Sequence, residues 1–239
     1  MNRDGYLEVI EKTRRYLRHQ GDLFGKELFL NHPEVLGPVR VFASSMPLDN
    51  FRKTIQGCLK CSLGKTRNHF VFGGGNPNAN LMLIGEAPGE DEDAQGEPFV
   101  GKAGQLLDKI LAAIDFRREE VYIGNILKCR PPMNRDPLPE EIALCMPYLN
   151  KQIELIQPKI VLALGRIAAQ VLLNTTAPLN RLRGMVHDYQ NISLVVTYHP
   201  AALLRNPQWK LPVWEDVQRL RQLYDEIVRD KPKWRPPRK

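Results

Sequence analysis

The chain has 239 residues, 43% of them hydrophobic, and carries a formal net charge of +7. That is enough apolar material for one substantial core, so one α/β domain with an extension is expected rather than two independent domains. No apolar run is long enough to cross a bilayer, and the opening MNRDGYLEVIEKTRRYLRHQ lacks the unbroken apolar core of a signal peptide, so a soluble cytoplasmic protein is expected, its charge suiting a polyanionic partner.

Residues 1 to about 30 read as helical, with Tyr6, Leu7, Val9, Ile10, Leu17, Leu23 and Phe24 forming a ragged apolar face. That face could bind a protein partner or pack on the chain's own domain. Pro33, Pro38 and Pro47 mark residues 31–50 as a linker, so 1–50 is an N-terminal helical extension, 51–229 the main domain and 230–239 a basic tail.

Cys58-Leu59-Lys60-Cys61 opens the main domain. FVFGGGNPNAN (70–80) follows, with Gly73-Gly74-Gly75 read as a plain turn, because no Gly-Lys-Ser/Thr follows to make a phosphate loop. Leu81 to Ile84 form a short apolar run that suits a strand covered on both faces, and Gly85 frees the backbone to turn. Glu86 then lands at the strand's carboxyl end, where open α/β sheets bind their ligands. An acidic loop follows, in which Glu90, Asp91 and Asp93 are expected to be solvated and Pro98-Phe99 needs an apolar partner. A helix is expected from Lys102 or Ala103 to Ile114, a strand over 121–127, a helix over 139–156 and a strand over 160–164. A helix over 166–173, a strand over 192–197 and a helix over 213–229 complete the pattern. Such alternation implies a parallel sheet with helices on both faces.

The four cysteines are Cys58, Cys61, Cys129 and Cys145. In a reducing compartment an even set containing C-x-x-C reads first as a metal or cluster site rather than as disulfides. Zinc and iron–sulfur both remain open, and the wide separation of Cys129 from Cys145 favours a four-thiolate cluster.

GEAPGEDED, GEPFVGKAG, NILKCRPP, the four cysteines and YHPAALLRNP, in this order, resemble the motifs of the family 4 uracil-DNA glycosylases, the iron–sulfur-containing branch of that superfamily. The likeness covers roughly residues 51–229. It implies a central four-stranded parallel sheet flanked by helices, a [4Fe-4S] cluster on the four cysteines, and hydrolysis of the N-glycosidic bond of deoxyuridine in single- and double-stranded DNA by a monomer. By the same likeness Glu86 is the water-orienting carboxylate and Glu92 a second matched glutamate that could instead organise the loop. Gly85 and Ala87 shape the pocket, Phe99 stacks on the base, Asn125 reads uracil N3–H and O4, and His199 donates to O2. Leu204 and Arg205 are wedge candidates for the minor groove, with Arg183 in a nearby phosphate-contacting loop. A glycosylase of broader deaminated-base scope and a non-catalytic iron–sulfur DNA-binding module are the competing expectations.

Overall fold

The computed structural model describes residues 48–236. The expected N-terminal helix, and with it a partner-binding face, lies outside these residues. Helix α1 (Leu48–Ile55) starts inside the stretch that reads as linker, and Phe51 and Ile55 pack there against Phe72. After it come α2 (Leu63–Thr66), β1 (Gly74–Gly75), β2 (Leu81–Gly85), α3 (Glu90–Gln95), α4 (Lys102–Ala113) and β3 (Tyr122–Asn125). The chain continues through α5 (Pro139–Ile156), β4 (Ile160–Leu164), α6 (Arg166–Leu172), α7 (Leu179–Leu182), β5 (Val186–Tyr189), β6 (Ile192–Thr197), α8 (Pro200–Arg205) and α9 (Lys210–Ile227). No described helix is long and apolar enough to cross a membrane.

The sheet has the order β1-β3-β2-β4-β6-β5. Its centre, β3-β2-β4-β6, is the expected four-stranded parallel unit. Two antiparallel edge strands extend it, and both correct the sequence reading. Gly74-Gly75 pairs with Tyr122 and Ile123 rather than forming a plain turn. Val186–Tyr189, given no element in the sequence reading, forms a hairpin with β6.

Alternate residues of β2 serve opposite faces. Met82 and Ile84 join Val161, Ala163, Leu194 and Val196 beneath Leu149, Ile153 and Ala168, whereas Leu81 and Leu83 join Ile160, Leu162 and Val195 beneath Leu107, Leu111 and Val217. Helices therefore cover the sheet on both sides, which is why these strands read as unbroken apolar runs.

The basic tail is docked at its start. Fully buried Arg221 on α9 donates to Ile114 O and to Pro232 O at 2.9 and 2.7 Å. Trp234 N–H reaches Asp225 at 2.9 Å, and the Trp234 ring meets Trp214 edge-on.

Candidate active site

The parallel strands deliver their carboxyl ends to one rim of the sheet. Gly85 lies in register with Asn125 across β2 and β3, and Leu164 with Thr197 across β4 and β6. Glu86 and His199 follow directly, so residues over a hundred positions apart converge on a cavity of about 340 Å³. Glu86, Ala87, Glu92, Phe99, Asn125, His199 and Arg205 all line it. Gly85 lies behind Asn125 and Phe99: a Cβ there would collide with Asn125 Oδ1 and come within 2.8 Å of the Phe99 ring.

Asn125 is 2% exposed and its Oδ1 has no hydrogen-bond partner within the protein. A buried, unpaired amide oxygen is costly, and at a cavity wall it has capacity to accept a hydrogen bond. Phe99 packs behind it at φ 53°, an uncommon backbone for a bulky residue, with its ring centroid 5.4 Å from that of His199. The loop has three restraints. Arg118 donates to Pro98 O and pairs with Asp108 at 2.9 Å. Glu92 accepts from Gly89, Val100 and Gly101 N–H at 3.1, 2.9 and 3.0 Å, so its carboxylate braces the loop. Gly104 leaves room where a Cβ would strike Phe99 O.

His199 caps α8, its Nδ1 accepting from Ala201 N–H at 3.2 Å. In the neutral ring the proton therefore sits on Nε2. Burial, reinforced by the Arg205 charge, pushes the imidazole down to about 4, so the ring is a neutral donor at physiological pH. Glu86 shifts the other way. Burial first and the Asp136 carboxylate second raise it to about 7, against a smaller opposing pull from Arg166.

Asp136 and Arg166 pair at 2.6 Å, and Asp136, Asn134 and Arg135 line the wall beside Glu86. Sequence reasoning missed this wall. Its only signal was the proline-bounded polar stretch PPMNRDP after the third matched motif.

Other sequence expectations land elsewhere. Asp93 is buried rather than solvated, accepting from the Asn68 side-chain amide at 2.8 Å and from Asn68 N–H at 3.0 Å. Glu90 and Asp91 are exposed. Leu204 and Arg205 lie on α8 and face solvent, Arg205 at the cavity mouth. Arg183 is not at the cavity. It pairs with buried Asp216 at 2.7 Å and lies over the Tyr198 ring, while Thr197 donates to the same carboxylate at 2.6 Å. It thus steadies the strand end that carries His199.

The four cysteines line a second, small cavity whose exposed lining is wholly apolar. Arg67 and the Tyr148 hydroxyl donate to Cys129 Sγ and Cys58 Sγ, each at 3.2 Å. Burial raises the Cys145 thiol to about 11, and raises that of Cys129 as well. Among the described residues, no three His, Cys, Asp or Glu side chains stand close enough to grip one metal ion.

Comparison with known proteins places this geometry in context. Residues 72–218 match the family model described as the uracil DNA glycosylase superfamily. The chain is 45% identical over 184 residues to a type-4 uracil-DNA glycosylase of Archaeoglobus fulgidus, an alignment spanning 74% of this chain and 92% of that protein. It is 41% identical over 185 residues to the type-4 enzyme of Sulfurisphaera tokodaii (74% and 84%) and 42% over 184 residues to that of Saccharolobus solfataricus (73% and 85%).

Proposed function

The chain belongs to the uracil-DNA glycosylase superfamily, and from that premise we propose that it releases uracil from DNA through the cavity at the sheet rim. The unpartnered Asn125 Oδ1, set beside Phe99 and across from a neutral His199, carries this reading. A uracil rotated out of the helix stacks on Phe99 and gives its N3–H to Asn125 Oδ1, while the Asn125 NH₂ donates to O4. Cytosine presents the opposite pattern and would leave both amide groups mispaired in a dry site.

In the hydrolysis the C1′–N1 bond breaks and its electron pair leaves with the base. Negative charge then gathers on uracil O2. His199 Nε2–H donates there, stabilising the departing anion without giving up its proton. A water oxygen bonds to C1′ of the oxocarbenium-like sugar, and its proton passes to the Glu86 carboxylate. Glu92 acts through the loop it braces. Leu204 and Arg205 enter the minor groove, the leucine filling the gap and the guanidinium meeting the groove's negative potential.

Cys58, Cys61, Cys129 and Cys145 would hold a [4Fe-4S] cluster. Four thiols from three segments lining one cavity fit it, since each thiolate of such a cluster binds a different iron. The donors from Arg67 and Tyr148 would offset thiolate charge. When bound, the cluster supplies covalent cross-links between distant parts of the chain.

A uracil-release assay tests the whole reading. Purified protein should free uracil from single- and double-stranded DNA, and His199→Ala should slow release about 100- to 1000-fold with DNA binding retained. Release of no base by the wild-type chain would overturn it.

A further inference from the structure

The most exposed apolar side chain beside the cavity is Met133, and the chain holds it there. It is 93% exposed, more than any other large hydrophobic residue among those described. Its neighbours Pro131, Asn134 and Arg135 line the cavity, so Met133 stands on the rim, outside the pocket itself. Its backbone is left-handed, at φ 52° and ψ 25°, and Asn134 repeats the conformation at φ 54°. Two consecutive non-glycine residues in that region are unfavourable, and such outliers persist only where surrounding contacts enforce them.

Those contacts are present on both sides. Arg130 Nε donates to Asn134 Oδ1 at 2.8 Å, and Arg130 also lies 3.7 Å from Glu90. Arg135 grips the buried Glu141 carboxylate with both terminal nitrogens, at 2.9 and 2.6 Å, and Leu138 N–H donates to the same group at 2.8 Å. The tip is therefore pinned and strained while presenting a thioether to solvent.

From this geometry we infer that Met133 is a second apolar wedge, inserted into the DNA duplex beside the everted nucleotide. The inference rests on the proposed action on DNA. Methionine is among the side chains that proteins push between base steps, and its unbranched chain adapts to an irregular gap. Rotating a nucleotide out leaves apolar base faces exposed on its neighbours and on the widowed base opposite. Leu204, half exposed on α8 next to cavity-lining Arg205, reaches the mouth from another element. Met133 provides a separate apolar contact from the pinned loop. Arg130 and Arg135, engaged with Asn134 and Glu141, keep that loop in shape and leave the thioether free to insert.

A wedge matters in proportion to the stacking and pairing it replaces, and this gives the test. Single-turnover uracil release is measured for wild type, Met133→Ala and Met133→Leu on a U·A duplex, a U·G duplex and a single strand. Met133→Ala should lower the ratio of U·A duplex rate to single-strand rate about tenfold, with a smaller fall for the already weakened U·G pair. Met133→Leu should restore most of the ratio. With 2-aminopurine opposite the uracil, the fluorescence rise on binding should be smaller for Met133→Ala. Equal losses on all three substrates, or no loss on any, would overturn the wedge and leave the side chain for a protein partner. Wild-type release from the single strand is the internal control. If that fails, the uracil reading fails, independently of Met133.

Discussion

The chain builds two clusters from distant segments, and they are finished in opposite ways. The rim cavity leaves polar groups open to a ligand: Asn125 Oδ1 has no partner within the protein, and Glu86, its carboxyl raised by burial, and neutral His199 both line it. The cysteine cavity has an apolar lining, with hydrogen-bond donors already placed on two of its sulfurs. Unmet hydrogen-bonding capacity suits a ligand that arrives and departs, since the ligand completes it only while bound. Closure suits a resident group that contributes to folding.

Disabling the two clusters should separate these roles. The largest effect is expected at Asn125: replacement by Ala should slow uracil release about 1000-fold while thermal stability holds or rises, because a buried unpaired group is removed. A fall in melting temperature of similar size to that of a core mutant would make Asn125 structural and erase the contrast. Cys129→Ser should do the reverse. Iron content and visible absorption should drop and the melting temperature should fall, while residual folded protein keeps near-normal turnover. Wild-type protein holding stoichiometric zinc and no iron would break this half of the comparison.

The smallest effect concerns Glu86. Because only the carboxylate can accept the water's proton, excision should climb as pH rises through about 7, and Glu86→Gln should flatten that limb as well as lowering the rate. His199, at about 4, adds no step in this range. The same shift sets a stability trend. A carboxyl raised above its ordinary 4.5 keeps its proton longer in the folded chain than in the unfolded one, so stability declines between pH 4.5 and 7 and is level beyond. Glu86→Gln avoids that decline and should be more stable at pH 8 by about 1 kcal/mol after allowance for solvent screening, with no gain at pH 4.

The periodic elements were legible in the sequence. β4, α5 and β6 have the expected ends, because apolar runs bounded by proline, glycine or a polar turn leave little choice. Glu86 was readable as a strand-end residue, since parallel topology sends every carboxyl end to one edge, whereas Asn125 and His199 were singled out by the likeness to the family. What escaped depends on pairs that sequence does not reveal. Asp93 resembles its exposed neighbours until Asn68, 25 positions earlier, folds onto it. Arg183 looks free for phosphate until Asp216 appears 33 positions later, and the Asp136–Arg166 pair spans 30. The Gly74-Gly75 strand is too short to carry a period at all.

The close packing at Gly85 has a consequence of its own. The placing of Asn125 and Phe99 depends on one absent carbon: adding it would push the Asn125 amide aside and crowd the Phe99 ring, although the backbone there needs no special conformation. A single alanine at that position would be felt first by the two side chains set to hold a base, far from the cysteines and without a break in the sheet.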